Sequence, residues 1–71
     1  MTAPNEFRHR LREAIADFNR QDVCDAIGKS MRSMTGWLNG SSEPLVGAVA
    51  DLCRSLDVDA NWLLGLRDDK P

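Results

Sequence analysis

The sequence predicts a small all-α domain of five helices, and three observations carry that expectation. Apolar residues recur at intervals of three and four along most of the chain, the spacing that lines one face of a helix. Helix-starting residues (Asn19, Ser30, Asp59) and helix-ending glycines (Gly28, Gly40) fall between those stripes at the right offsets. No segment alternates apolar and polar residues long enough to argue a strand. At 71 residues there is surface for one modest core, and 42% hydrophobic with 28% charged residues is the balance of an ordinary globular chain.

Phe7, Leu11, Ala14, Ile15 and Phe18 form the first stripe, and with Pro4 or Asn5 suited to a helix start they predict helix one from about Asn5 to Phe18. Arg8, His9 and Arg12 occupy its other face. Asn19 offers a cap with Asp22 three residues on, and Val23, Cys24 and Ile27 give a short helix two that stops at Gly28. Ser30 caps helix three, Met31 to Leu38, with Met34 and Trp37 inward and Asn39-Gly40 closing it. Residues 40–44 read as a loop, with Pro44 in the first turn of helix four, whose stripe is Val46, Val49, Leu52, Cys53 and Leu56. Asp57-Val58-Asp59 breaks that helix, and Asp59 caps a last one from Ala60 to about Gly65. Residues 1–66 form the domain, and residues 67–71 read as a polar tail.

Composition excludes several classes. Two cysteines, Cys24 and Cys53, are too few for the disulfide scaffold of small secreted domains. No apolar run approaches a membrane span, and Met1-Thr2-Ala3-Pro4-Asn5 lacks the basic-then-apolar pattern of a secretory leader, so a cytoplasmic protein is expected. Metal binding finds only His9 and two distant cysteines, and a nucleophilic Cys or Ser has no evident base, so neither a cofactor nor enzyme activity is expected. A core this small is commonly supplemented by self-association, which makes a homodimer the default. The net charge of −2 argues against phosphate binding, but residues 1–40 hold Arg8, Arg10, Arg12, Arg20, Lys29 and Arg32 against five acids, while the rest holds three bases against six acids. Any nucleic-acid face belongs to the N-terminal part.

Within it, Arg20 to Asn39 has the order a groove-reading helix pair requires: Val23 as inward anchor, Cys24 as small contact residue, Gly28 in the turn, Met34 and Trp37 as anchors of the second helix. Arg20-Gln21-Asp22-Val23-Cys24-Asp25-Ala26-Ile27-Gly28, with Met34, Trp37 and Asn39-Gly40, resembles the helix-turn-helix of the phage Cro/repressor (XRE-like) family. Pro44, the helix-four stripe and the run from Leu56 to Gly65 extend the resemblance over about residues 7–65. It implies a compact five-helix, repressor-type DNA-binding domain, with helices two and three as the helix-turn-helix. Departures are Cys24 and Cys53 in place of alanine, Arg20 where glutamine is usual, Leu38 where a polar residue is common, and Asp57 in place of glycine.

With Met34 and Trp37 inward, helical geometry turns Met31, Arg32, Thr35 and Gly36 outward and puts Ser33 near the edge, which makes these five the candidate base contacts. Arg32 fits the guanine edge, Met31 and the Thr35 methyl fit thymine methyls, and Gly36 lets the helix sit deep; plain solvated surface is the other reading for each. Arg20, Gln21, Lys29, Ser30, Asn39, Ser41 and Ser42 are the candidate phosphate contacts, although Asn39-Gly40 is equally an ordinary helix end. Arg8 and Arg12 either reach a flanking phosphate or belong to a charged outer helix face. Trp62 and Leu66, one turn apart, either form a twofold interface or complete the core. The resulting expectation is a sequence-specific, dimeric regulator of double-stranded DNA that represses from a palindromic operator. The alternatives are the DNA-binding domain of a longer phage repressor, or a protein-interaction module of the same fold, anti-repressor-like, that no longer binds DNA.

Overall fold

Leu11, Ile15, Cys24, Met34, Leu52 and Leu63 meet at the centre of the domain with almost no solvent contact, and helices carry all of them. The computed structural model describes residues 3–68. Among them run α1 (Ala3–Ile15), α2 (Arg20–Ile27), α3 (Met31–Asn39), α4 (Val46–Leu56) and α5 (Ala60–Leu63), with no strand. α1 packs on α3 and α5, α2 on α3 and α4, and α4 on α5. The radius of gyration, 10.9 Å, matches the roughly 11 Å of a fully packed chain of this length. Among the described residues no helix is long and apolar enough to cross a membrane.

The capping chemistry read from the sequence sets most boundaries. Asn19 accepts the Asp22 backbone N–H at 3.0 Å, and Ser30 accepts that of Ser33 at 3.1 Å. Asp59 accepts the Asn61 N–H at 2.6 Å. Each such cap contributes about 1 kcal/mol by satisfying a donor that the helix itself leaves orphaned. Asp57 takes the left-handed conformation (φ 55°) that ends α4 and donates its N–H to Cys53 O. A short polar side chain tolerates that conformation better than most.

Four expectations are corrected. α1 stops at Ile15, not Phe18: the Phe18 N–H folds back onto Ile15 O at 3.0 Å, which leaves Phe18 43% exposed beyond the helix. Pro44 precedes α4, whose cap position is Leu45 with no side-chain bond. Ser41 and Ser42 turn back to donate their N–H groups to Gly36 O, so the chain needs Pro44 and Leu45 to reach the next helix. The first turn of α4 therefore stands clear of the core. The buried stripe is Ala48, Leu52 and Leu56, while Val46 is 86% exposed and Val49 and Cys53 are only partly covered. α5 closes at Leu63, short of Gly65. Of the expected polar tail, Arg67 is held by Asn61 O and Asp59, and residues 69–71 lie outside the described residues.

Candidate nucleic-acid interface

The connection between α2 and α3 is three residues long because Gly28 can do what few residues can. Its φ of 71° reverses the chain while its N–H and that of Lys29 cap Asp25 O and Cys24 O. Cys24, with no exposed surface, sits at the seam of the two helices, its Sγ 3.5 Å from Met31 Sδ and 3.9 Å from Ser30 O. Burial, with Asp25 adding to it, pushes this thiol above its ordinary value. Burial and Asp59 do the same for Cys53, against the opposing pull of Arg54. Both are neutral thiols near pH 7, a state in which sulfur is a poor nucleophile.

Met34, Trp37 and Leu38 hold α3 against the core, and its opposite side carries the candidate base contacts. Arg32 and Thr35 stand clear of the protein. Met31 is exposed in part but turns its sulfur inward to Cys24. Gly36 and Ser33 are placed differently from the expectation. A Cβ on Gly36 would come within 2.4 Å of Ser42 Oγ and 3.4 Å of Ser41 Oγ, so the side chain it lacks is replaced by the following loop rather than by open groove. Ser33 is half-buried, accepts the Ser30 hydroxyl at 3.2 Å, and lines an open concavity of about 420 Å³ with Ile27, Lys29, Trp37, Pro44 and Glu43. Both leave the outward face to Met31, Arg32 and Thr35.

The candidate phosphate contacts frame α3 at its two ends. Arg20 and Lys29 are exposed, as is Ser30, whose Oγ is committed to the Ser33 cap. Gln21 donates along its own helix to Asp25 Oδ1 at 2.9 Å. Past the far end, Asn39 Oδ1 accepts the Ser41 N–H at 2.9 Å, which points the loop back and leaves the Asn39 amide N–H groups without a partner among the described residues. Two arginines of α1 grip this same end: Arg8 Nη1 donates to Asn39 O at 3.2 Å and Arg12 Nε to Leu38 O at 2.7 Å. Carbonyls at a helix C-terminus lack intrahelical donors and carry the negative end of the helix dipole, so cations are favourable there.

Ion pairing is segregated across the molecule. Arg10 pairs with Glu6 and Asp68, Arg54 with Asp51, and Arg67 with Asp59. Arg12, Arg20, Lys29 and Arg32 contact no carboxylate among the described residues. Glu6, Asp51, Asp59 and Asp68 are thus spent on arginines outside the α2–α3 pair, while Asp22 and Asp25 stay on α2 itself, near Arg20 and Lys29 in the chain. Composition alone does not reveal this, because it depends on which side chains meet.

The expected exposed pair of Trp62 and Leu66 is corrected. Trp62 is 3% exposed, buried in the core of its own chain, with the Arg10 guanidinium 5.4 Å from its ring centroid as a cation–π partner. It has no surface to offer a second molecule. Leu66 is open, but the largest adjacent apolar exposure is Leu45 and Val46, 81% and 86% accessible at the start of α4. The sequence placed Val46 in the core stripe and Leu45 nowhere in particular; only the delayed start of α4 brings both to the surface. Among the described residues, no three His, Cys, Asp or Glu side chains group as metal ligands. This chain matches no protein-family model, no curated protein and no solved structure.

Proposed function

We propose that this chain is a sequence-specific double-stranded DNA-binding regulator in which α2 and α3 form a helix-turn-helix and α3 enters the major groove. The observation that carries the reading is the combination on α3 of an outward face, Met31, Arg32 and Thr35, with Arg20, Lys29 and Arg32, none of which forms an ion pair among the described residues. Arg32 donates its planar fork to a guanine edge, a contact worth about 1–3 kcal/mol of discrimination. Arg20, Lys29, Asn39, Ser41 and Ser42 position the helix on the phosphates on either side. The resemblance to the phage Cro/repressor family supports the same assignment, and with it repression from an operator.

A domain with so few free cations gains affinity by binding as two copies. We place the homodimer contact at Leu45 and Val46 rather than at Trp62. These two side chains are the most exposed large apolar ones, and they directly follow the loop that leaves α3, so a twofold pairing there sets two α3 helices side by side on a palindromic site.

Selection of bound duplexes from a random pool tests the reading. The expected result is a palindromic site, affinity that falls steeply with salt, and relaxed preference at one base position per half-site for Arg32→Ala. Negligible duplex affinity at low salt would overturn it in favour of a protein-interaction module, the reading that the net charge of −2 favours.

A further inference from the structure

We infer that Arg12, on α1 and outside the helix pair, is a phosphodiester contact whose guanidinium is held ready by the C-terminus of α3; this rests on the duplex-DNA reading above. A guanidinium is planar and carries five N–H donors. Arg12 uses its Nε–H on Leu38 O at 2.7 Å, which fixes the plane of the group. Its two terminal nitrogens have no partner among the described residues, and the residue is exposed. The remaining edge of the fork suits two oxygens of one anion.

Its surroundings select the anion. The carbonyl that orients Arg12 belongs to the residue before Asn39, whose amide N–H groups are likewise without a partner among the described residues, and Ser41 and Ser42 follow within the same turn of chain. A phosphate at the end of α3 therefore meets an oriented guanidinium anchored one residue before the Asn39 amide, while the Ser41 and Ser42 hydroxyls lie against Gly36. The conformational freedom of the long Arg12 side chain is lost on folding and not on binding, which favours a contact already in place. Arg10 marks the contrast on the same helix: its guanidinium is taken up by Glu6, Asp68, Trp62 O and Arg67 O and is in no position to bind anything further.

The test is the salt dependence of duplex binding, followed by fluorescence anisotropy on a random-sequence duplex and on any selected site. Wild type is compared with Arg12→Ala, with Arg12→Gln, and with Arg54→Ala as a control that removes one positive charge, paired with Asp51, from α4. Gln retains an N–H donor for the Leu38 carbonyl but no charge, and thermal melts confirm the folded fraction of each variant. The expected result is that both Arg12 variants lower the slope of log K against log salt by about 0.9 per protomer. They weaken all sequences alike, and Arg54→Ala keeps the wild-type slope. A wild-type slope in folded Arg12→Gln makes Arg12 a helix cap alone and overturns the inference while the DNA reading stands. An equal loss in Arg54→Ala assigns the effect to net charge and overturns it too. Absence of salt-dependent binding by wild type overturns the DNA reading and the inference together.

Discussion

Arg10 and Arg12 leave α1 two residues apart, which on a helix sends them to opposite sides, and each ends on the terminal carbonyls of another helix. At the α1–α5 junction Arg10 lies over Trp62, donates to Trp62 O and Arg67 O, and is neutralised by Glu6 and Asp68. At the α1–α3 junction Arg12 gives one N–H to Leu38 O and meets no acid among the described residues. The same residue type on the same helix is wholly absorbed by the fold in one place and only anchored by it in the other. Exposure alone does not separate the two: Glu6 and Asp68 meet Arg10, whereas no carboxylate reaches Arg12 among the described residues.

Breaking the α1–α5 junction gives the largest effect. Trp62→Ala removes a fully buried aromatic and the platform under Arg10, and is expected to cost about 3–5 kcal/mol in a urea unfolding curve. Arg10→Ala, which strips the carbonyl and carboxylate partners but leaves the core filled, is expected to cost about 1–3 kcal/mol. At equal folded fraction it leaves the salt slope of DNA binding unchanged. Arg12→Ala sharpens the contrast from the other side, with a stability loss of about 0.5–1.5 kcal/mol for one charge-assisted bond at an exposed site. A loss as large as that of Arg10→Ala would show the two junctions to be equivalent.

The smallest effect separates the thiols from both arginines. Cys24 has its folded value raised above the ordinary thiol value by burial and then by Asp25. The unfolded chain then loses its thiol proton first as the pH climbs, so this contribution is intact below about 9 and declines above it. Melting temperatures should fall from about pH 9 upward in wild type, Arg10→Ala and Arg12→Ala alike. Cys24→Ala should flatten the decline.

Much of the fold was legible because capping chemistry is local. Asn19, Gly28, Ser30 and Asp59 act on donors and acceptors within four residues of themselves, so their roles can be read without knowing what packs on what. Helix phase was legible for α2 and α3 for the same reason. The errors fell where the outcome depends on distant partners. Val46 fits the apolar spacing of α4, yet the loop turned back onto Gly36 starts that helix late and exposes it. Trp62 reads as surplus to a small core until Arg10 is found covering it. In the candidate interface, the outward turn of Arg32 and Thr35 follows from two anchors and a helical period, whereas Gly36 reads as a groove position until Ser42 is found in the space. The anchoring of Arg12 by Leu38 O spans 26 residues of sequence and leaves no trace in the spacing of α1.

The packing of α3 also bears on how such a protein changes over time. Met34, Trp37 and Leu38 belong to the core, Ser33 to the capping hydroxyl pair, and Gly36 to the serine loop, so each is constrained by folding. Arg32 and Thr35 have no side-chain partner among the described residues, and surface substitutions of this kind alter stability by no more than about 0.5 kcal/mol. A lineage can exchange those two letters almost without structural penalty, and under the DNA-binding function proposed above such exchanges alter the preferred sequence while every intermediate remains folded. An exchange at Gly36 forces the Ser41–Ser42 loop to shift first.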